Sequence, residues 1–354
     1  MKKVCFLLRT SCGGGAERVA VRLANYFADK GYFVTYAFYY HTGDYFLNNS
    51  IEKKTLCEKA YKNKIHRTLY ELKSTRVFFN SHYFDDILIF GYSPAIEFYA
   101  SHPRKKNRKR VIVSERNDPN RNIKKRYLLK AREWAYKKAD AVVYQTIDAK
   151  CFFSKLKLSE EYIIPNPIED ISVSPFSGQR RKSIVTAGRL TEQKNIMLLI
   201  DAFASFLKVK PDYLLEIYGD GEQLHSLKCF CKEREIDKYV LFKGFSTNLL
   251  NDIVDSAMYI SSSNYEGISN SILEALALGI PTIATDCPIG GSRLLITNQV
   301  NGLLVPVRDK QSLLDAMLLL DENKELSNKI SKEAIRVREK YHISNIAENW
   351  IKLL

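Results

Sequence analysis

Two cations and two carboxylates in the second half of the chain have the types and spacing to handle a charged ligand. Arg189 and Lys194 lie in Gly188-Arg-Leu-Thr-Glu-Gln-Lys-Asn195, between a strand-like and a helix-like stretch. Such a pair can hold a diphosphate from two sides, arginine as a planar fork and lysine as a point charge. Glu266 and Glu274 lie in Ser263-Asn-Tyr-Glu-Gly-Ile-Ser-Asn-Ser-Ile-Leu-Glu-Ala-Leu-Ala-Leu-Gly-Ile-Pro281. Glu266 falls in a loop, and Glu274 about one and a half turns into a helix beginning near Ser269. The two can address different parts of one ligand, with the first amides of that helix, at Ser269, Asn270 and Ser271, facing its phosphate. An ordinary surface helix would also carry two acids, but that leaves unexplained an acid set among Ile272, Leu273, Ala275 and Leu276.

A third motif, Gly13-Gly14-Gly15-Ala16-Glu17, follows the first apolar run. Glycines let an anion approach the backbone where a helix starts. A tight turn in which Glu17 complements the helix dipole reads equally well. It is not a P-loop, because the Gly-Lys-Ser/Thr ending is absent. A fourth, Asp286-Cys-Pro-Ile-Gly-Gly-Ser-Arg293, is a further loop of the same kind. The seven cysteines are odd in number and form no Cys-x-x-Cys, which argues against a disulfide scaffold or a zinc site. No Asp-x-Asp is present, and no metal is expected.

These loops need a scaffold that ends strands beside helix starts. The 354 residues suggest two domains. Strand candidates Val4–Leu8, Phe33–Tyr39, Ile87–Phe90, Val111–Val113 and Ala141–Tyr144 alternate with helical patterns such as Ala16–Asp29 and Lys124–Lys138. The rhythm repeats with Ser183–Ala187, Leu214–Tyr218, Val240–Phe242, Tyr259–Ser262, Thr282–Ala284 and Leu303–Val305. This is the pattern of parallel sheets covered on both faces. Between the halves, Ile164-Pro-Asn-Pro-Ile168 can continue neither a helix nor a central strand. The expected organisation is α/β: two doubly wound Rossmann-like domains facing a cleft, residues 1–165 and 166–340, with a final helix over 341–354. Ligands would bind at the carboxyl ends of the strands.

Glu266-x7-Glu274 followed by Ala-x-Ala-x-Gly-x-Pro, with Gly-Arg-Leu-x-x-Gln-Lys and the N-terminal Gly-Gly-x-Glu, resembles the family 4 retaining glycosyltransferases of the GT-B fold, the glycosyl transferases group 1. The motifs occur in order along nearly the whole chain. Ser114-Glu-Arg-Asn-Asp-Pro119 and Asp286-Cys-Pro-x-Gly-Gly are similar to the branch that builds bacterial capsule, O-antigen and lipid-linked glycans. The resemblance implies a first domain that binds acceptor, a second that binds a UDP-sugar, and a final helix that crosses back to the first. It gives Arg189 and Lys194 the donor diphosphate, Glu274 the ribose hydroxyls and Glu266 the donor sugar. Gly14 and Gly15 would lie beside the phosphates and acceptor. Gly188, Ser269, Asn270 and Ser271 complete the donor site, and the base would meet backbone near Lys243-Gly-Phe245. Where many relatives have a histidine near the reacting sugar, this chain reads Ser114-Glu115-Arg116-Asn117, which puts Glu115 and Arg116 on the acceptor or sugar side.

The resemblance implies transfer of a hexose or N-acetylhexosamine with retention, without metal, by front-face attack in which the leaving phosphate accepts the acceptor's proton. Double displacement with Glu266 as nucleophile is the other route. A sugar-nucleotide epimerase of the same fold and a non-catalytic nucleotide-sugar-binding subunit are the rival functions. Charge bears on the acceptor. Residues 1–165 hold 32 Lys and Arg against 16 Asp and Glu, whereas the rest of the chain has 22 against 24. The basic residues concentrate in His102–Arg110, Lys124-Lys-Arg126 and Lys53–Arg76, the last also offering Tyr61, Ile65, Leu69 and Leu72 at helical spacing. No nucleic-acid-binding motif accompanies them. The reading is a first domain that docks on an anionic membrane where a lipid-linked glycan waits. The apolar run before Arg9 is too short for an export signal, and no stretch approaches the roughly 18 apolar residues of a membrane span. The expected place is the cytoplasm, peripheral at the inner face of the cytoplasmic membrane.

Overall fold

A computed structural model describes all residues except Ala60, Asn122 and Lys124. The start of the expected helix at Lys124, and the first residue of the basic run there, therefore lie outside the described residues. The chain forms two compact units, Met1–Glu169 with Ile343–Leu354, and Asp170–His342.

The first unit holds seven parallel strands: β1 (Lys3–Thr10), β2 (Phe33–Tyr40), β3 (Glu52–Thr55), β4 (Phe84–Phe90), β5 (Arg108–Ser114), β6 (Ala141–Tyr144) and β7 (Glu161–Ile163). Their order is β3-β2-β1-β4-β5-β6-β7, so the winding reverses between β1 and β4. Val4–Leu8 is buried throughout, as a central strand covered on both faces must be. Helix Gly15–Asp29 lays Val19, Ala20, Leu23, Ala24 and Phe27 against the sheet, at the 3.6-residue period of one helical face. Helix Ile343–Ile351 belongs to this unit too and buries Ile346, Ala347 and Trp350. The Trp350 ring stacks on Phe90 at 5.8 Å.

The second unit holds six parallel strands: β8 (Arg181–Ala187), β9 (Leu214–Tyr218), β10 (Val240–Gly244), β11 (Ser256–Ser261), β12 (Thr282–Thr285) and β13 (Leu303–Val305). Their order is β10-β9-β8-β11-β12-β13, with the reversal between β8 and β11. Helix Ile196–Leu207 anchors the core through Leu199, Ile200, Phe203 and Phe206, packed with Ile184, Leu215 and Ile260.

The basic segment 53–76 is not one helix. It divides into the edge strand β3 and helix Lys64–Ser81, whose start is capped by Asn63 accepting from the amides of Ile65 and His66. The C-terminal region divides into helices Lys324–Ala334, Val337–Lys340 and Ile343–Ile351, the last within the final helix expected over 341–354.

Candidate functional site

In the second unit the chemistry gathers at the carboxyl ends of β8 and β11, the neighbours flanking the reversal. The loops leaving these strands are stitched together. Ser262 Oγ donates to the carbonyls of Lys194 and Asn195, both at 3.0 Å. The Asn264 amide nitrogen donates to Gln193 O at 2.8 Å, and its side chain to Glu192 O at 2.8 Å. The stitching sets Lys194 Nζ 2.6 Å from Glu266 Oε2. Gln193 Nε2 and Ser263 Oγ add hydrogen bonds to the same carboxylate, each 3.3 Å. The expected diphosphate cation and the expected sugar-side acid are thus ion-paired with each other. Arg189 is exposed, and its guanidinium makes no ion pair or side-chain hydrogen bond among the described residues.

Helix Asn270–Ala277 follows, and nearly all of it is buried. Glu274 is 3% exposed, which removes the reading of an ordinary surface helix with two exposed acids. At the N-cap, Ser269 does not bond to the helix amides. Its hydroxyl meets Ser271 Oγ at 3.0 Å, so the first turn has no side-chain cap.

Two glycines are fixed by close approach. A Cβ on Gly291 would fall 1.6 Å from the carbonyl oxygen of Gly267, beside Glu266. That contact explains Gly291 in the fourth motif, and a left-handed φ of 72° explains Gly290. The contact brings the loop after β12 against the loop after β11. A Cβ on Gly219 would lie 2.0 Å from Gly188 O, so the loop after β9 packs on the loop that carries Arg189. At the end of β10, Lys243 is exposed and Gly244 O accepts from Gly219 N at 2.7 Å, and just after the strand Phe245 is 82% exposed.

In the first unit, Gly14 is the N-cap and Gly15 the first residue of helix Gly15–Asp29. Glu17 folds back against Gly14 and accepts from Thr10 Oγ1 at 2.7 Å, as the dipole-complementing reading requires. Glu115 points inward, taking hydrogen bonds from Tyr136 Oη (2.9 Å) and the Arg116 amide (3.1 Å), with Arg132 Nη1 at 3.7 Å. Burial raises its pKa against those partners. Arg116 lies over the Phe90 ring, 5.3 Å from its centroid.

Sequence reasoning did not find one cluster. At the end of β1, Arg9 reaches Glu71 at 2.8 Å and Glu97 at 2.6 Å, with Tyr39 and Tyr40 rings within 5.3 Å and Tyr40 Oη donating to Glu71. Burial pushes Glu97 up to about 7, and Arg9 pulls the other way. No local signal marks these residues, which come from β1, helix Lys64–Ser81 and helix Tyr92–Ala100. Gln193 and Gly291, by contrast, stood inside motifs already singled out.

Comparison with known proteins places this arrangement. Residues 168–337 match the family model for glycosyl transferases group 1. The poly(glycerol-phosphate) alpha-glucosyltransferase of Bacillus subtilis is 26% identical over 238 residues, 64% of this chain and 34% of that protein. An N-acetylgalactosamine-N,N'-diacetylbacillosaminyl-diphospho-undecaprenol 4-alpha-N-acetylgalactosaminyltransferase of Campylobacter jejuni is 29% identical over 205 residues, 58% of this chain and 53% of that protein. The chain therefore spans about a third and about half of these two relatives. Among solved structures, Staphylococcus aureus TarM, crystallised with fondaparinux, alpha-GlcNAc-glycerol and UDP, superposes with a TM-score of 0.85 at 15% identity, over 100% of this chain and 99% of that one. With its two parallel sheets the chain has the GT-B fold, and its motif-bearing second unit, matched over residues 168–337, belongs to the glycosyl transferases group 1 family.

Proposed function

We propose that the protein is a retaining transferase that moves a hexose or N-acetylhexosamine from a UDP-sugar to a lipid-linked glycan acceptor in bacterial surface-glycan synthesis. The observation that carries this is the strand-end cluster of the second unit: an unpaired, exposed Arg189 beside the Lys194–Glu266 pair, next to an uncapped helix start and a buried Glu274. Such a cluster suits a ligand with a diphosphate and a polyhydroxyl part. The names of the Bacillus and Campylobacter relatives and the UDP held by TarM support the same class of donor.

In this reading Arg189 and Lys194 bind the diphosphate. Cleavage of the anomeric C–O bond leaves negative charge on UDP, and both cations with the amides near Ser269–Ser271 stabilise that charge as it develops. Lys194 must then exchange part of its bond to Glu266 for phosphate, which frees Glu266 to meet the sugar. Glu274 takes the ribose hydroxyls, Gly14, Gly15 and Gly188 give close backbone approach, and Lys243 and Phe245 flank the base. The acceptor hydroxyl attacks from the leaving-group side, and its proton passes to the departing phosphate. Incubating the protein with single UDP-sugars and a bacterial membrane extract tests the reading. Release of UDP with sugar appearing in the lipid fraction is expected. Epimerised free nucleotide sugar, or no turnover with any UDP-sugar, would reject it.

A peripheral membrane position is part of the proposal. No helix among the described residues is long and apolar enough to cross a membrane. Helix Lys64–Ser81 leaves Ile65 70%, Leu69 59% and Val77 60% exposed, rather than turning them into its own core. Lys64, Lys73 and Arg76 are exposed on the same helix. Apolar residues beside cations fit the boundary of an anionic bilayer.

A further inference from the structure

At the carboxyl end of β5 stands an arginine without a counter-charge. The Nε, Nη1 and Nη2 atoms of Arg116 are all buried and have no hydrogen-bond partner. The residue as a whole is only half-buried. Arginines at protein surfaces usually do the reverse, burying the stem and leaving the head in water. The neighbouring acid does not compensate, because the Glu115 carboxylate is engaged by Tyr136, Arg132 and the Arg116 amide. Desolvation pulls the guanidinium down to about 9. Two residues earlier, Ser114 Oγ is likewise buried and without a partner. A buried unpaired cation and a buried idle hydroxyl each weigh against folding. Both lie on the strand edge where open α/β sheets take their ligands.

We infer that Arg116, assisted by Ser114, binds a phosphate oxyanion of the substrate. The inference rests on the glycosyltransferase reading, whose reactants carry phosphate as their obligatory anion. A planar fork of three nitrogens lying on the Phe90 ring matches the face of a phosphate and leaves the cation no other partner. The phosphate belongs either to the nucleotide or to the lipid diphosphate of the acceptor, and the experiment separates the two.

Full-length wild type, Arg116→Met, Arg116→Lys and Ser114→Ala are titrated with UDP, uridine and farnesyl diphosphate, and melted without ligand. Arg116→Met keeps the contact with Phe90 while removing the unpaired charge, so without ligand it melts at or above the wild-type temperature, whereas loss of a structural arginine would lower it. Its affinity for one diphosphate falls about 30-fold or more, the scale of truncating one partner of a buried charge pair. A fall for UDP with uridine unchanged places the phosphate on the donor. A fall confined to farnesyl diphosphate places it on the acceptor. Arg116→Lys recovers part of the loss, and it carries the test if the methionine variant does not fold. Ser114→Ala loses about fivefold for the same ligand. Affinities within about twofold of wild type for both diphosphates in both arginine variants would overturn the inference. A wild type that bound neither diphosphate would overturn the transferase reading on which it stands.

Discussion

The strand-end clusters of the two units are built in opposite ways. In the second unit the charged groups come from loops that each follow a strand directly, and backbone-to-side-chain bonds from Ser262 and Asn264 hold them in register. In the first unit Arg9, Glu71 and Glu97 meet from three distant segments and bond mostly to one another. The first arrangement is rigid in its loops and leaves Arg189 idle. The second is knit mostly to itself, with Glu97 Oε2 left buried without a partner, and Arg116 is idle instead. Arg189 and Arg116 are thus both held in reserve, and the cost of doing so differs. Arg189 waits in water, where a charge is cheap, whereas Arg116 waits without water.

The largest effect expected from breaking this contrast is at Arg189. Arg189→Ala should leave the melting temperature within about 2 °C, as exposed surface substitutions do. It should cost about 2–4 kcal/mol of transition-state stabilisation, read as kcat/KM for the UDP-sugar. Full activity in the variant, or loss of wild-type activity to EDTA, would detach the cation from that role. Gly291→Ala tests the scaffold. With the Gly267 carbonyl in the way, it should lose about 1–3 kcal/mol in urea unfolding.

The two glutamates sharpen the comparison further. Glu274→Gln should raise the donor KM by weakening a charge-assisted acceptor for hydroxyls, at about 1–2 kcal/mol. Glu266→Gln should chiefly lower kcat. Equal, small changes in both would mean that neither meets the donor as proposed. For the basic half, phosphatidylglycerol vesicles should float the protein at low salt and release it as salt rises. Ile65→Asn with Leu69→Asn should weaken flotation by about 1–2 kcal/mol without lowering the melting temperature.

The smallest effect concerns the Arg9 cluster. Because burial raises Glu97 above its unfolded value, folding takes up a proton there. Its contribution to stability is full below about pH 4.5, its ordinary value, and is lost as pH rises to about 7. Glu97→Gln should flatten that part of the stability-against-pH curve. A variant whose curve parallels wild type between pH 5 and pH 7.5 would show that Glu97 is ionised throughout.

How much of this could be read beforehand follows the same division. Every central strand was visible, because a strand such as Val4–Leu8, covered on both faces, must be a continuous apolar run. The two strands that escaped, β3 and β7, are the two edges of the first sheet. Glu-Lys-Lys-Thr and Glu-Tyr-Ile are short and polar, since an edge half in water needs charge to discourage further pairing. In the second unit the site was legible because its residues sit in contiguous strand–loop–helix segments. Whether Lys194 was paired was not legible, because Glu266 comes from another loop. The Arg9 cluster was invisible for the same reason, and the orphaned state of Arg116 depends on Glu115 having turned away. Helix Lys64–Ser81 shows the limit of periodicity, which located the apolar residues but not the side they would face.

The return of helix Ile343–Ile351 into the first unit has a consequence for the order of synthesis. Residues 170–342 form a contiguous unit that can close as soon as it has left the ribosome. The first unit, although translated earlier, cannot. Phe90 gains the Trp350 ring only after the whole second unit has been made, so until then that part of the apolar face of β4 stays uncovered in the nascent chain. The half that begins first is finished last.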